Sequence, residues 1–237
     1  MNTKVPHHTL VASATRRYTA KISRHPDDIL AAQRLRYDVF VRECGAFLHG
    51  SYDERDVDDF DALGDHAIVV EEATGRVVGA CRLLPPGRSR LLHSSAEFDV
   101  SALELLRDQL VEAVKACVHA DHRDGPAAAA LWSAVVDYVR DSGCRYLVGC
   151  APLRLDDTGR AAATMWDRVR DGHMSPPELR VSPYLPWNPD AATRGSDVKV
   201  PTLLRGCLRR GAVACGPPAY DPDAGAADLL MLLDLKR

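Results

Sequence analysis

The sequence predicts an α/β fold, one mixed sheet with helices packed on it, and three stretches carry that prediction. Residues 66–84 read as a hairpin, two runs of β-formers joined by the short glycine-bearing turn Ala73, Thr74, Gly75. Residues 110–151 read as strand, loop, helix and strand, a βαβ-like unit whose natural pairing is parallel. A helix opens at Pro26, where proline costs no hydrogen bond and Asp27 and Asp28 favour the helix dipole.

The remaining elements follow in order. Residues 16–23 form a short strand. The helix from Pro26 runs to about Glu43, with Ile29, Ala32, Leu35 or Arg36, Val39 and Phe40 at helical spacing. Residues 51–65 carry many acids and little periodicity, so a long loop is expected. Ser101 is placed as the cap of a brief helix ending at Leu106. Within the βαβ-like unit the strand is 110–118 and the helix about 126–140, and the closing strand is 145–151. Then come a helix at 158–169, a proline-rich loop at 175–197, a helix at 201–210, and late strands at 213–215 and 229–235. A tail (residues 1–14) and a single domain (15–237) are expected.

The bulk numbers limit the function. At 237 residues one compact core is the simplest arrangement. A net charge of -3 with dispersed arginines gives no nucleic-acid footprint. The seven cysteines are odd in number and form no CxxC pair, so a reducing compartment is expected, with no disulfide framework and no zinc site. The opening residues lead into no apolar run, so no signal peptide is expected. No stretch approaches the roughly 20 apolar residues that span a bilayer.

Three places hold candidate chemistry, each with a structural alternative. Arg123, Asp124 and Gly125 lead into a helix at Pro126. Such a turn offers backbone N–H groups and a positive dipole end to a phosphate, or Asp124 simply caps the helix. Glu112 and Lys115 lie inside an apolar strand. By alternation Glu112, Val114, Ala116 and Val118 share one face and Lys115 takes the other. Glu112 is either a general base for an amine or one half of a pair with an arginine. Arg36 and Arg82, in apolar surroundings, suit a carboxylate or form structural ion pairs. Asp58, Asp59, Asp61 and Asp65 are their candidate partners, or a solvated loop.

Taken in order, segments 35–41, 60–66, 78–84, 97–101, 118–125, 146–151 and 200–222 resemble the GNAT superfamily. Within it they resemble the branch of ornithine N-acyltransferases of ornithine-lipid synthesis and N-acyl amino acid synthases. The resemblance implies a mostly antiparallel sheet flanked by helices, with a central strand–loop–helix acyl-donor site. It implies transfer of a long (3-hydroxy)acyl chain from an acyl-carrier-protein thioester, or from acyl-coenzyme A, to the α-amine of an amino acid such as ornithine. No tightly bound cofactor or metal is implied. The roles it implies are catalysis for Glu112 and Lys115, amino-acid binding for Arg36, Asp65, Arg82 and Glu97, and oxyanion stabilisation by the Cys117 and Val118 backbone. Arg123, Asp124 and Gly125 would hold the pantetheine phosphate. The expected location is the cytoplasm, with contact at the inner membrane face following from a lipid product.

The sequence departs from the family pattern in three places. The donor loop has its glycine one position early and then Pro126, which points away from coenzyme A and toward a carrier protein. Lys115 stands where the family has arginine, and Ala224-Gly225 where a Phe-Asn pair is common. An acyl-homoserine-lactone synthase and a non-catalytic acyl-carrier binder are the rival readings.

Overall fold

A computed structural model describes residues 16–49, 51–123, 125–156 and 158–236; the expected tail lies outside them. Eight strands form one sheet: β1 (Tyr18–Ser23), β2 (Asp65–Glu71), β3 (Val77–Leu84), β4 (Leu110–Val118), β5 (Tyr146–Arg154), β6 (Val213–Ala214), β7 (Ala219–Asp221) and β8 (Ala226–Asp234). Their order is β1-β2-β3-β4-β5-β8-β6, with β7 also paired to β8. Every pair is antiparallel except β4 with β5. The sheet is therefore mixed and mostly antiparallel.

Helices α1 (Pro26–Tyr37), α2 (Pro126–Asp141), α3 (Arg160–Gly172) and α4 (Thr202–Arg209) flank it. Beyond Tyr37 the first helix continues as a π-helical turn, Asp38–Glu43. On one face of the sheet Val111, Val118, Leu147, Leu229 and Met231 pack under Leu131 and Val135 of α2 and Met165 and Trp166 of α3. On the other, Ala32, Leu35 and Val39 of the first helix cover Ala80 and Cys117. Farther along that second face, Phe98 and Leu103 cover Leu110, Val148 and Leu230.

Some details differ from the sequence reading. Ser101 does not cap its helix: it is the first residue of the 3-10 segment Ser101–Gln109, and its N–H donates to Asp99 Oδ1 at 3.1 Å. The acidic stretch 51–65 is not all loop. It holds a small ribbon, Ser51–Tyr52 with Arg55–Asp56, and a 3-10 turn, Asp59–Asp61, capped by the Asp58 side chain. The last long strand starts at Ala226 rather than 229, and β7 was not foreseen among the prolines that precede it.

The largest correction concerns β4. Val114 pairs with Arg82 and Cys117 with Ala80, so Lys115 and Ala116 together oppose Cys81. This is a β-bulge, and Lys115 takes φ 57° to make it. A left-handed non-glycine residue costs roughly 1–2 kcal/mol. The bulge shifts the alternation, so Glu112 and Val114 share their face with Cys117, whereas Val118 turns to the α2 side. Lys115 lies with Glu112, not opposite it, because its Nζ reaches Asp56 at 3.0 Å on the α1 side.

The second feature that positions the site is a parting of strands. The parallel register of β4 and β5 covers Leu110↔Tyr146, Val111↔Leu147 and Glu112↔Val148, and stops there. Beyond that vertex the strands diverge into a wedge. Gly149, Cys150 and Ala151 are partly exposed and Pro152 is exposed, although β5 is a central strand. Gly149 sits at the vertex, where a Cβ would lie 2.5 Å from Ala113 O. Gly149→Ala is therefore expected to destabilise the protein by roughly 1–3 kcal/mol through forced backbone movement. Urea unfolding checks this, and a change under about 0.5 kcal/mol would show the vertex is not tightly closed.

Candidate active site

Against the α1 side of the sheet lies a buried ionic cluster. Arg36 is 1% exposed and Arg82 0%. Asp61 accepts from Arg36 Nη2 at 2.8 Å, Arg82 Nη1 at 2.9 Å and Gln33 Nε2 at 2.9 Å. Asp58 takes both Arg82 Nη atoms, at 2.5 and 2.9 Å. Asp56 pairs with Arg36 Nε at 3.1 Å and with Lys115 Nζ at 3.0 Å. The arginines overcome burial and hold the Asp61 carboxyl far below the usual carboxylate range. Thus both guanidinium forks are filled by aspartates, the structural alternative weighed from sequence, and in this arrangement neither is presented to a substrate carboxylate.

Glu112 stands at the vertex of the wedge, 1% exposed. Its carboxylate accepts from the backbone N–H of His93 at 2.6 Å and of Ser94 at 2.9 Å. Burial nonetheless pushes its pKa above the ordinary glutamate value. A buried carboxylate with a raised pKa is closer in basicity to an ammonium proton than an exposed one. Lys115, on the same face, sits 6.0 Å from the centre of the Phe40 ring. His93 packs against Phe60, and burial lowers its pKa to about 4, so it is neutral at pH 7.

The donor end of the wedge lies past Val118. The His119 N–H donates to Val78 O at 2.8 Å, on the β3 side. Amide direction alternates along a strand, so Cys117 N–H also points to β3 and Val118 N–H points into the wedge. Arg123 caps that end, with Nη2 3.0 Å from Val118 O and both Nη atoms on Glu43 at 2.5 and 2.8 Å. Gly125 precedes α2, and among the described residues no side chain caps its N-terminus. Asp124 lies outside the described residues. Burial pushes the Cys117 thiol to about 12, so it stays protonated at pH 7.

Two sequence-derived sites fall elsewhere. Asp65 is bound by Tyr138 Oη and Arg24 Nε, both at 2.5 Å, at the β1–β2 edge near α2. Glu97 is not beside the arginines. It meets Asp228 and Cys150 farther along the wedge face, where their ligand atoms lie within 4.8 Å of one another. The sequence reading missed Asp56, Gly149, His93 and Asp228. Asp228, a lone acid inside the apolar run 226–233, was the one visible signal.

A mixed sheet parted between two parallel central strands, with a strand–loop–helix at the mouth, defines a GNAT-type acyltransferase. Residues 35–133 match the family model for the acetyltransferase (GNAT) domain. The L-ornithine N(alpha)-acyltransferase of Rhodobacter capsulatus is 30% identical, over 94% of this chain and 92% of that protein. The chain belongs to this family of amino-acid N-acyltransferases. Two solved structures share the fold. One is FeeM, an N-acyl amino acid synthase from uncultured soil microbes, with TM-score 0.56 and 13% identity over 94% of this chain and 93% of that one. The other is BjaI, a coenzyme-A-dependent acyl-homoserine lactone synthase, with TM-score 0.54 and 21% identity over 95% and 85%.

Asp61→Asn leaves two buried arginines short of a counter-charge, and a loss of about 3–5 kcal/mol is expected in denaturant unfolding. The depressed Asp61 pKa also sets a pH dependence. The stability it contributes is full above the unfolded carboxylate value, about 3.9, and falls as pH drops below it. The wild type therefore loses stability in acid more steeply than the variant, which parallel melts from pH 6 to pH 3 would read.

Proposed function

We propose that this protein transfers a long acyl chain, 3-hydroxyacyl by preference, from a phosphopantetheine thioester to the α-amine of ornithine. The observation that carries this reading is the wedge between β4 and β5, with a buried carboxylate at its vertex and a basic loop at its mouth. Membership of a family whose Rhodobacter capsulatus member is an L-ornithine N(alpha)-acyltransferase supports the acceptor. An acyl carrier protein is the proposed donor, with coenzyme A as the variant that the same arm would allow.

Glu112 and Val118 stand six residues apart on β4, roughly 17–20 Å at strand rise. They do not meet at one carbonyl. The pantetheine arm instead lies along the wedge, its phosphate near Arg123, Gly125 and the α2 N-terminus and its thioester near the vertex. Cys117 and Val118 then line the arm. The wedge-facing amides at the Lys115–Ala116 bulge stabilise the oxyanion. Glu112 takes the ammonium proton, directly or through water. The amine nitrogen attacks the thioester carbon, the C–S bond breaks, and the departing sulfur takes up a proton. Arg36, Arg82 and Lys115 act through the aspartate cluster to hold this face in shape. Acylation of ornithine makes an amphiphile, which supports release at a membrane surface; among the described residues no helix is long and apolar enough to cross one.

Purified protein with a 3-hydroxyacyl carrier protein and L-ornithine should yield N-acyl ornithine by mass spectrometry. No product with either the carrier protein or coenzyme A as donor would sink the reading. Glu112→Gln should lower kcat by about 10²–10⁴. It also places an amide NH2 against one of two backbone donors, so its melting temperature should drop as well. The wild-type kcat/KM should fall toward acid through a pKa above that of an ordinary glutamate, because the base must be ionised. An acid limb at the ordinary value would remove Glu112 from this role.

A further inference from the structure

The charges of the second face divide unevenly. Asp56, Asp58 and Asp61 each have a cation at 3.1 Å or less. Glu97, Asp221 and Asp228 have none among the described residues. Register places Glu112, Cys150 and Asp228 on one face, since Glu112 pairs with Val148, Cys150 with Leu230 and Asp228 with Pro152. Glu97 closes over them, with its ligand atoms and those of Cys150 and Asp228 mutually within 4.8 Å.

Two oxygens in this group are sealed from solvent and receive no donor from another side chain or from the backbone: Glu97 Oε2 and Asp228 Oδ1. Asp228 is 6% exposed. The two carboxyl groups can satisfy one another only by sharing a proton. Burial raises both. Glu97 is raised further by the charges of Asp221 and Glu112, although its hydrogen bond with Asp228 lowers it. Asp228 is held well above the ordinary aspartate range by burial and by the charge and hydrogen bond of Glu97. Such a pair costs stability unless something cationic meets it. The neighbouring floor is open, because Cys150 and its neighbours are partly exposed where β4 has parted from β5.

We propose that Glu97 and Asp228 form the subsite for the distal ammonium of the acceptor, which makes the enzyme selective for diamino acids. This rests on the amino-acid acyl transfer proposed above. An ammonium carries three N–H donors and a full positive charge, matching two donor-starved carboxyl oxygens. A metal ion is the poorer fit. The Cys150 thiol is pushed well above its ordinary pKa by burial and four surrounding acids, and remains a protonated, weak ligand. Asp228 itself pairs with Pro152, but its carboxyl group and that of Glu97 reach back to within 4.8 Å of Cys150 Sγ. Cys150 lies two residues along β5 from Val148, the partner of Glu112, roughly 7 Å, a span of the same order as a three-carbon side chain. The α-amine is thereby delivered to Glu112 while the distal ammonium sits at Asp228.

The test compares L-ornithine with L-norvaline, which has the same carbon chain without the distal amine. The wild type should show kcat/KM at least tenfold higher for ornithine, and Asp228→Asn should reduce that ratio at least tenfold, chiefly through KM. Glu97→Gln is the second variant and should act in the same direction. Acylation of ornithine with the ratio unaltered in both variants would overturn the subsite while leaving the acyltransfer reading intact. Acylation of neither amino acid would instead remove the reading beneath it. A stoichiometric bound metal whose chelation abolishes activity would overturn the ammonium assignment in favour of a metal site.

Discussion

The parting of β4 from β5 beyond Glu112 and Val148 is the constraint on which the rest of the molecule depends. A parallel pair in mid-sheet normally exchanges hydrogen bonds along its whole length, and an unpaired backbone is costly when dry. The chain accepts an opening because both strands are held from outside. β8 pairs with β5 along Tyr146–Arg154, and β3 holds β4 through Val118. The close approach at Gly149 fixes where the opening starts. What remains is a slot lined by backbone amides and reached from the α2 N-terminus, the requirements of a long polar arm that ends in a reactive carbonyl.

The second face then divides into two electrostatic halves. Near β3 the acids are neutralised by Arg36, Arg82 and Lys115, and the result is a rigid block in which Asp61 binds both arginines. Around Asp228 of β8 the balance reverses: among the described residues Glu97 and Asp228 stand without a cation and are raised in pKa. Glu112 lies between the halves, tied to the His93–Ser94 backbone. A site built this way is rigid where it supports and under electrostatic strain where it binds, the distribution expected when binding free energy is held in reserve for a ligand.

Elements with one dominant local signal could be read from sequence. The 66–84 hairpin announces itself by β-branched runs and a Gly75 turn, and α2 by Pro126 followed by a clean apolar face. The mostly antiparallel order came through family resemblance. Asp58 and Asp61 were among the candidate partners of the arginines, but which acid meets which arginine, and the part of Asp56, did not show locally. Arg36 and Arg82 read as substrate clamps or ion pairs until the fold brought Asp56, Asp58 and Asp61 against them. Asp228 stood out as a lone acid in an apolar run, but its meaning comes from Glu97, more than a hundred residues away. Gly149 has an unremarkable sequence context, and only the backbone across from it explains its lack of a side chain.

The bulge at Lys115 and Ala116 works like a shift of reading frame within one strand. Upstream of it, odd-numbered residues such as Val111 turn toward α2; downstream, the even-numbered Val118 does. The strand thus carries two phases joined at a lysine with a left-handed backbone. Deleting one residue there would restore regular pairing and send the residue opposite Cys81 into the α2 core, away from Asp56. Length changes that a surface loop would absorb are therefore forbidden at this point. The spacing between Glu112 and the donor loop is held by geometry as firmly as the identity of either.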